Sequence, residues 1–269
     1  MDKDTIVGSL AAEWAAIEGL LAGLGEAQWA APTPCPGWSV HDVTSHIIGT
    51  ELALCGEQPA PCLADVRARA HVHNDIGALN ELWVESLRDE SPAAMVDRLR
   101  AVTEQRLAAL SAMPDEEFNG PSWTPAGQAT YARFMQIRAF DCWMHEQDIR
   151  DAAGQPGNED GPGAALSVDE IALALGYIVG KRARAPDGSS VTFGLTGPLR
   201  RNLNVVVEGR ARLTGRLPGP ATATIAMPLG TFTRLCGGRV RPEDVSDQVT
   251  VTGDEALGAR VVAALAYTI

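Results

Sequence analysis

Apolar residues in the first part of the chain recur every three or four positions. Ile6, Leu10, Trp14, Ile17, Leu20, Leu21 and Leu24 form one stripe, which predicts an amphipathic helix over 5–24. A loop rich in Pro and Gly follows, from Pro32 to Trp38. Ser39 then stands where an N-cap belongs, with Asp42 three residues on as the acidic half of a capping box. Val40, Val43, Ile47 and Leu54 carry that second helix to about Gly56. Pro59 and Pro61 interrupt the pattern, and a third helix is predicted over 64–88, with His71-Val72-His73 inside it. Ser91-Pro92 marks an N-cap followed by proline at the first helical position, opening a helix to about Met113. Residues 114–127 read as a loop, and a last long helix spans 128–152.

The character changes after GQPGNEDGPG (154–163), the clearest linker in the chain. A helix over 167–183 precedes short β-type runs at Val191–Leu195, Leu203–Glu208, Ala211–Leu213, Ala221–Met227 and Val249–Thr252. Residues 203–217 read as a hairpin, and Thr231–Cys236 and Glu255–Leu265 as short helices packed on the sheet. The fold class is therefore α+β, with an all-α domain at 1–153 and a small mixed domain at 164–269. There is no internal repeat and no low-complexity tract.

Composition narrows the function more than the fold. Apolar residues make up 45% of the 269 and aromatics 5%, so the core is built mainly from aliphatic side chains. With 22 Lys and Arg against 34 Asp and Glu the formal charge is −12. That disfavours nucleic acid or an anionic membrane as a partner, since both require a basic face. No signal-peptide pattern opens the chain, and no apolar run approaches the ~18 residues needed to span a bilayer. Five widely spaced cysteines without a C-x-x-C pair read as reduced thiols. The expected location is the cytoplasm.

The strongest local chemistry is Asp141-x-x-x-His145. On a helix the two side chains lie one turn apart on one face, as two ligands of one metal ion require. The same spacing is also a common surface pair, and two ligands do not make a site. His46, on an otherwise apolar or small-residue helix, is the candidate third ligand; its alternative is a core histidine bonded to a carbonyl. Imidazole with carboxylate suits zinc, nickel or iron(II) better than calcium. Asp148 continues the stripe, while Glu146 points about 100° from His145. His41 and Glu51 fit a solvated face as well as a ligand role. His71 and His73, two apart on a helix, would face nearly opposite ways, toward solvent. Cys35 has no charged neighbour in sequence and reads as packing beneath its loop. Arg138, Arg150, Lys181, Arg182 and Arg184 could serve an anion or simply complement helix dipoles.

Cys35-Pro-Gly-Trp-Ser-Val-His-Asp-Val43, followed by His46, resembles the opening of the second helix in the mycothiol-dependent maleylpyruvate isomerase family of actinobacteria, within the DinB-like bundle superfamily. Asp141-Cys-Trp-Met-His145-Glu-Gln-Asp148 resembles that family's segment on the fourth bundle helix. Residues 165–269 resemble the sterol-carrier-like domain that often follows, through Phe232–Arg239 and the late strand Val249–Asp254. The resemblance implies a DinB-like up-down-down-up bundle, with a metal, usually zinc, held by His46, Asp141 and His145 and open to an exogenous ligand. Mycothiol is the implied cosubstrate, its thiol ionised by the metal. Asp148 is implied as a positioning residue. The isomerase itself has Glu where this chain has the shorter Asp141.

Three activities follow as expectations. One is a metal- and mycothiol-dependent transferase or isomerase acting on an electrophilic small molecule. Another is a non-catalytic protein binding metal or an apolar ligand. The third is metal-dependent hydrolysis, for which the sequence offers no evident general base beyond Asp148 or Glu51.

Overall fold

The computed structural model of the chain describes residues 1–268. It divides into two units, Met1–Asn158 and a second beginning at Glu159. Ile269, the last residue of the expected second domain, lies outside the described residues.

The first unit is a four-helix bundle. Its helices are α1 (Lys3–Ala22), α3 (Val40–Leu54), α5 (Pro92–Ala112) and α7 (Tyr131–Ala153), with the short α2 (Glu26–Trp29) before α3. Contacts run α1 to α5, α5 to α3, α3 to α7 and α7 to α1, closing a ring around one core. Leu10, Ile17, Val43, Ile47, Leu99, Met135 and Cys142 are fully buried there. The caps explain the boundaries. Ser39 accepts from Asp42 N while Asp42 reaches back to Ser39 N at 2.9 Å, the predicted capping box. Thr130 caps α7, and Gly154 ends it in the left-handed conformation at φ 67°.

Two local expectations are corrected. The predicted helix over 64–88 is only α4 (Asp75–Leu87), because the Asn74 side chain caps Gly77 N at 2.8 Å and starts the helix there. A single 3-10 turn, Val66–Ala68, precedes it, so His71 and His73 lie in irregular chain rather than on a helix. The predicted loop 114–127 holds α6 (Asp115–Phe118) and a hairpin of β1 (Pro121–Thr124) with β2 (Gly127–Thr130). Elements of four residues carry no period to read.

Two helices, Lys3–Ala22 and Pro162–Arg182, are long and apolar enough to cross a membrane, against the expectation of none. About half of each is buried within the protein itself. This is how core helices built from Ala and Leu read, with an apolar stripe wide enough to lift the average of the whole segment.

The second unit opens with α8 (Pro162–Tyr177), entered through proline at its first turn and followed by a π-helical turn, Ile178–Arg182. Its sheet comprises β3 (Ser190–Thr196), β4 (Arg201–Glu208), β5 (Arg210–Thr214), β6 (Ala223–Pro228) and β7 (Thr250–Gly253), in the order β5-β4-β3-β6-β7. Only the β3–β6 pair is parallel. Val191, Phe193 and Leu195 alternate onto the covered face of β3, where α9 (Leu229–Cys236) packs Phe232 against Phe193 with ring centroids 5.7 Å apart. Finally, α10 (Glu255–Ala263) covers β6 and β7. The small α+β unit expected from the sequence is the one present.

Candidate metal centre

His46 reaches the bundle interior from α3, three residues before Gly49. A Cβ on Gly49 would sit 2.3 Å from Cγ of Trp83, so only glycine lets α4 pack this close beside the histidine. Asp141 and His145 reach in from α7, one turn apart. His46 Nε2 lies 3.2 Å from Asp141 Oδ2, and His145 Nε2 lies 3.6 Å from Asp141 Oδ1. The two imidazoles meet edge to face at 4.9 Å. One ligand atom from each of the three residues falls within 4.8 Å of the others.

The far edge of His145 is also engaged, since its Nδ1 lies 2.9 Å from Asp148 Oδ2. That bond places the proton on Nδ1 and leaves the Nε2 lone pair directed toward Asp141 and His46 whenever the ring is neutral. Cys35 Sγ donates to the same Asp148 oxygen at 3.0 Å and lies 3.9 Å from His145 Nδ1. Trp38 covers both imidazoles, with centroids 5.3 Å from His46 and 6.2 Å from His145. Its indole N–H donates to Glu81 Oε2 at 2.8 Å, and His71 Nε2 lies 2.9 Å from that same oxygen.

Behind the carboxylate runs a buried chain of charge. Arg138 donates to Asp141 and, through Nη2, to Glu51 Oε1 at 3.0 Å. Arg106 Nε meets the other Glu51 oxygen at 3.0 Å. Burial opposes the charge on Asp141. The neighbouring His145, Arg138 and His46 nevertheless hold its carboxyl well below the usual range. Burial also works against a charged His145, but Asp141 and the bonds from Asp148 and Cys35 outweigh it and lift the imidazole to about 10. For His46 burial dominates and the pKa falls. The two rings are thus pushed in opposite directions.

These residues fit a divalent ion. Two imidazole nitrogens and a carboxylate form a three-ligand set of the kind that leaves a position open. The other nitrogen of His46, Nδ1, is buried with no hydrogen-bond partner among the described residues, so the hydrogen bonding of that ring is on its Nε2 edge. Two of the three ligands have an outer support: Arg138 for Asp141, and Asp148 for His145.

Sequence reasoning missed part of this assembly. Cys35 is buried beneath its loop as expected, but against Asp148 and His145. Glu51 is no solvated residue; it is fully buried between Arg106 and Arg138. Arg138, read from the sequence only as an anion or dipole partner, could have been paired with Asp141, because three residues apart on a helix means the same face. Of the basic residues singled out, Arg138 pairs with Glu51 and Arg150 with Glu146 in the first unit, while Lys181, Arg182 and Arg184 belong to the second. His41 Nε2 contacts Glu90 O at 3.0 Å, away from the trio. His73 is exposed as expected, whereas His71 is partly buried against Glu81.

Together, fold and site define a class: a helical bundle with a histidine–aspartate–histidine donor set, followed by a small mixed-sheet domain. The family model described as "Mycothiol maleylpyruvate isomerase N-terminal domain" matches residues 10–150, and the "MDMPI C-terminal domain" matches 165–260. The chain belongs to this mycothiol-dependent maleylpyruvate isomerase family.

Uncharacterized proteins from two Mycobacterium tuberculosis strains, CDC 1551 / Oshkosh and ATCC 25618 / H37Rv, are each 31% identical over 157 residues. Those matches cover 57% of this chain and 58% of each relative, so the chain spans under two thirds of the curated relatives it matches. The crystal structure of a mycothiol-dependent maleylpyruvate isomerase superposes with a TM-score of 0.61 at 14% identity, covering 94% of this chain and 93% of that one. A histidine-to-alanine mutant of that isomerase gives 0.60 at 13% identity, with the same coverage. At such identities these two structures speak for the fold alone.

Proposed function

We propose that this chain is a divalent-metal- and mycothiol-dependent transferase or isomerase acting on an electrophilic small molecule in the cytoplasm. Its metal ligands are His46, Asp141 and His145, carried by the bundle at 1–153, and Asp148 positions His145. The observation that carries this reading is the convergence of two buried imidazole Nε2 atoms on one half-buried carboxylate. Zinc suits two imidazoles and a carboxylate best, with nickel and iron(II) as alternatives. Family membership supports mycothiol as the thiol. The formal charge of −12 argues for a small molecule over a polyanion as the partner.

Bound there, a divalent ion would supply the positive charge that keeps a thiol ionised at neutral pH. The chain's own residues do the rest. Asp148 holds His145 in the tautomer that presents Nε2. Arg138 fixes the Asp141 carboxylate, and Trp38 shields both imidazoles from water on one side. Asp141 is one methylene shorter than the Glu of the isomerase this chain resembles, so the electrophile is left as a class.

The test is elemental analysis joined to a thiol assay. Purified protein should carry about one metal per chain, lost in His46→Ala and in His145→Ala. It should also consume mycothiol with a bimane-type electrophile only when metal is present. Failure to take up zinc, nickel or iron would overturn the reading. Metal uptake with no thiol consumption across several electrophiles would favour the non-catalytic alternative, a binding protein for metal or an apolar ligand.

A further inference from the structure

Cys35 is a buried thiol whose Sγ lies 3.0 Å from Asp148 Oδ2 and 3.9 Å from His145 Nδ1. The loop around it is tightly specified. Cys35 N donates to Thr33 Oγ1 at 3.2 Å, Trp38 N donates to Cys35 O at 3.1 Å, and Thr33 N donates to Trp38 O at 2.9 Å. The turn that sets Cys35 on one edge of His145 therefore also sets Trp38 over its face. Asp148 Oδ2 accepts from two donors at once, the His145 Nδ1–H and the Cys35 S–H.

We propose that Cys35 is a positioning residue for His145, acting through the Asp148 carboxylate that the two share. The inference rests on the metal reading above and adds to it a reason for a thiol in this loop. A thiol is a weak donor that packs like a small apolar side chain. It donates to the same Asp148 oxygen that the imidazole N–H uses, so one carboxylate oxygen is fixed by two donors. With both donors in place, the Asp148 oxygen is held toward His145. Removing the S–H frees one direction of the carboxylate, and the imidazole loses its fixed aim. Supports of this kind typically change metal affinity by about 10–100-fold.

The test compares Cys35→Ala, Cys35→Val and Cys35→Ser in the full chain, with folding checked by circular dichroism. Ala and Val remove the donor, Val nearly conserves the volume, and Ser keeps a donor. Zinc affinity is expected to fall about tenfold in Ala and Val and to stay within about threefold in Ser. In the metal-free protein, the hydrogen-bonded Nδ1–H proton resonance of His145 should move in Ala and Val and return toward its wild-type position in Ser. Unchanged zinc affinity together with an unmoved resonance overturns the proposal. So does a sulfur-to-cobalt charge-transfer band in cobalt-loaded protein that vanishes in Ser, because Cys35 would then be a ligand. The resonance needs no metal, so a protein that binds none would sink the proposed function while the role of Cys35 is still decided.

Discussion

Arg138 Nη2 lies 3.0 Å from Glu51 Oε1 inside the bundle, both side chains being all but inaccessible to solvent, and the same guanidinium holds Asp141. A buried ion pair contributes little net stability but is costly to break on one side, because the remaining charge has lost its compensation. Arg138→Met should therefore destabilise the protein by about 3–5 kcal/mol, read from urea unfolding. Glu51→Gln combined with Arg138→Gln should recover little of that loss, because it leaves the buried Arg106 without its carboxylate. Metal affinity should stay low in both, since neither keeps a cation on Asp141. A single Arg138→Met variant with wild-type stability would show that Arg106 alone satisfies Glu51.

Asp141 and His145 anchor a second expectation, about metal removal. A ligand that binds only the folded chain stabilises it, by about 2.7 kcal/mol at a hundredfold excess over its Kd. Chelator should thus lower the melting temperature of the metal-loaded protein by several degrees. It should leave His46→Ala and His145→Ala where they already are. Equal chelator shifts in wild type and both variants would mean that the ion sits elsewhere.

Glu13, on α1, is a buried carboxyl outside the metal centre. Burial first, then the hydrogen bond and charge of Glu146, raise it from an ordinary 4.5 to about 10. Arg150 and Asn158 pull the other way without prevailing. A folded-state pKa above the unfolded one means stability that is full below pH 4.5 and is lost as pH climbs toward about 10. Between those limits the native chain holds a proton that the unfolded chain has released. Glu13→Gln, which keeps a neutral amide in the same place, should flatten this decline and add about 1–3 kcal/mol at pH 8. Parallel stability–pH curves for the two proteins would show that Glu13 ionises normally in the fold.

The long elements were legible because their physics is local. The apolar stripe of α1, the Ser39–Asp42 box opening α3 and the Ser91-Pro92 start of α5 all specify helices from neighbours in sequence. The pair Asp141 and His145 was legible for the same reason, as one turn of one helix. What joins residues far apart in the chain was not. Nothing near Cys35 announces an aspartate 113 positions later, and Glu51 reads as surface until Arg138, 87 residues on, meets it. His71 falls inside the helix predicted over 64–88, but the Asn74 cap starts the helix after it. Only the family resemblance linked His46 to α7 before the fold was available.

Gly37 offers the sharpest test of how the loop serves the site. Its φ of 80° is a conformation that side chains other than glycine avoid, and a Cβ there would lie 2.4 Å from Nδ1 of His71. Alanine therefore imposes two separable costs, backbone strain and a collision with the ring. The collision should propagate: His71 and the Trp38 indole share Glu81 Oε2, so moving one loosens the other over the imidazoles of His46 and His145. Gly37→Ala is expected to cost about 2–4 kcal/mol, with a change in tryptophan fluorescence. Adding His71→Ala removes the collision but not the strain. The double variant should then be destabilised by less than the sum of the two singles, with a coupling of about 1 kcal/mol or more. Simple additivity would mean that the loop absorbs the methyl without moving His71, and that Trp38 is held over the site by its packing alone.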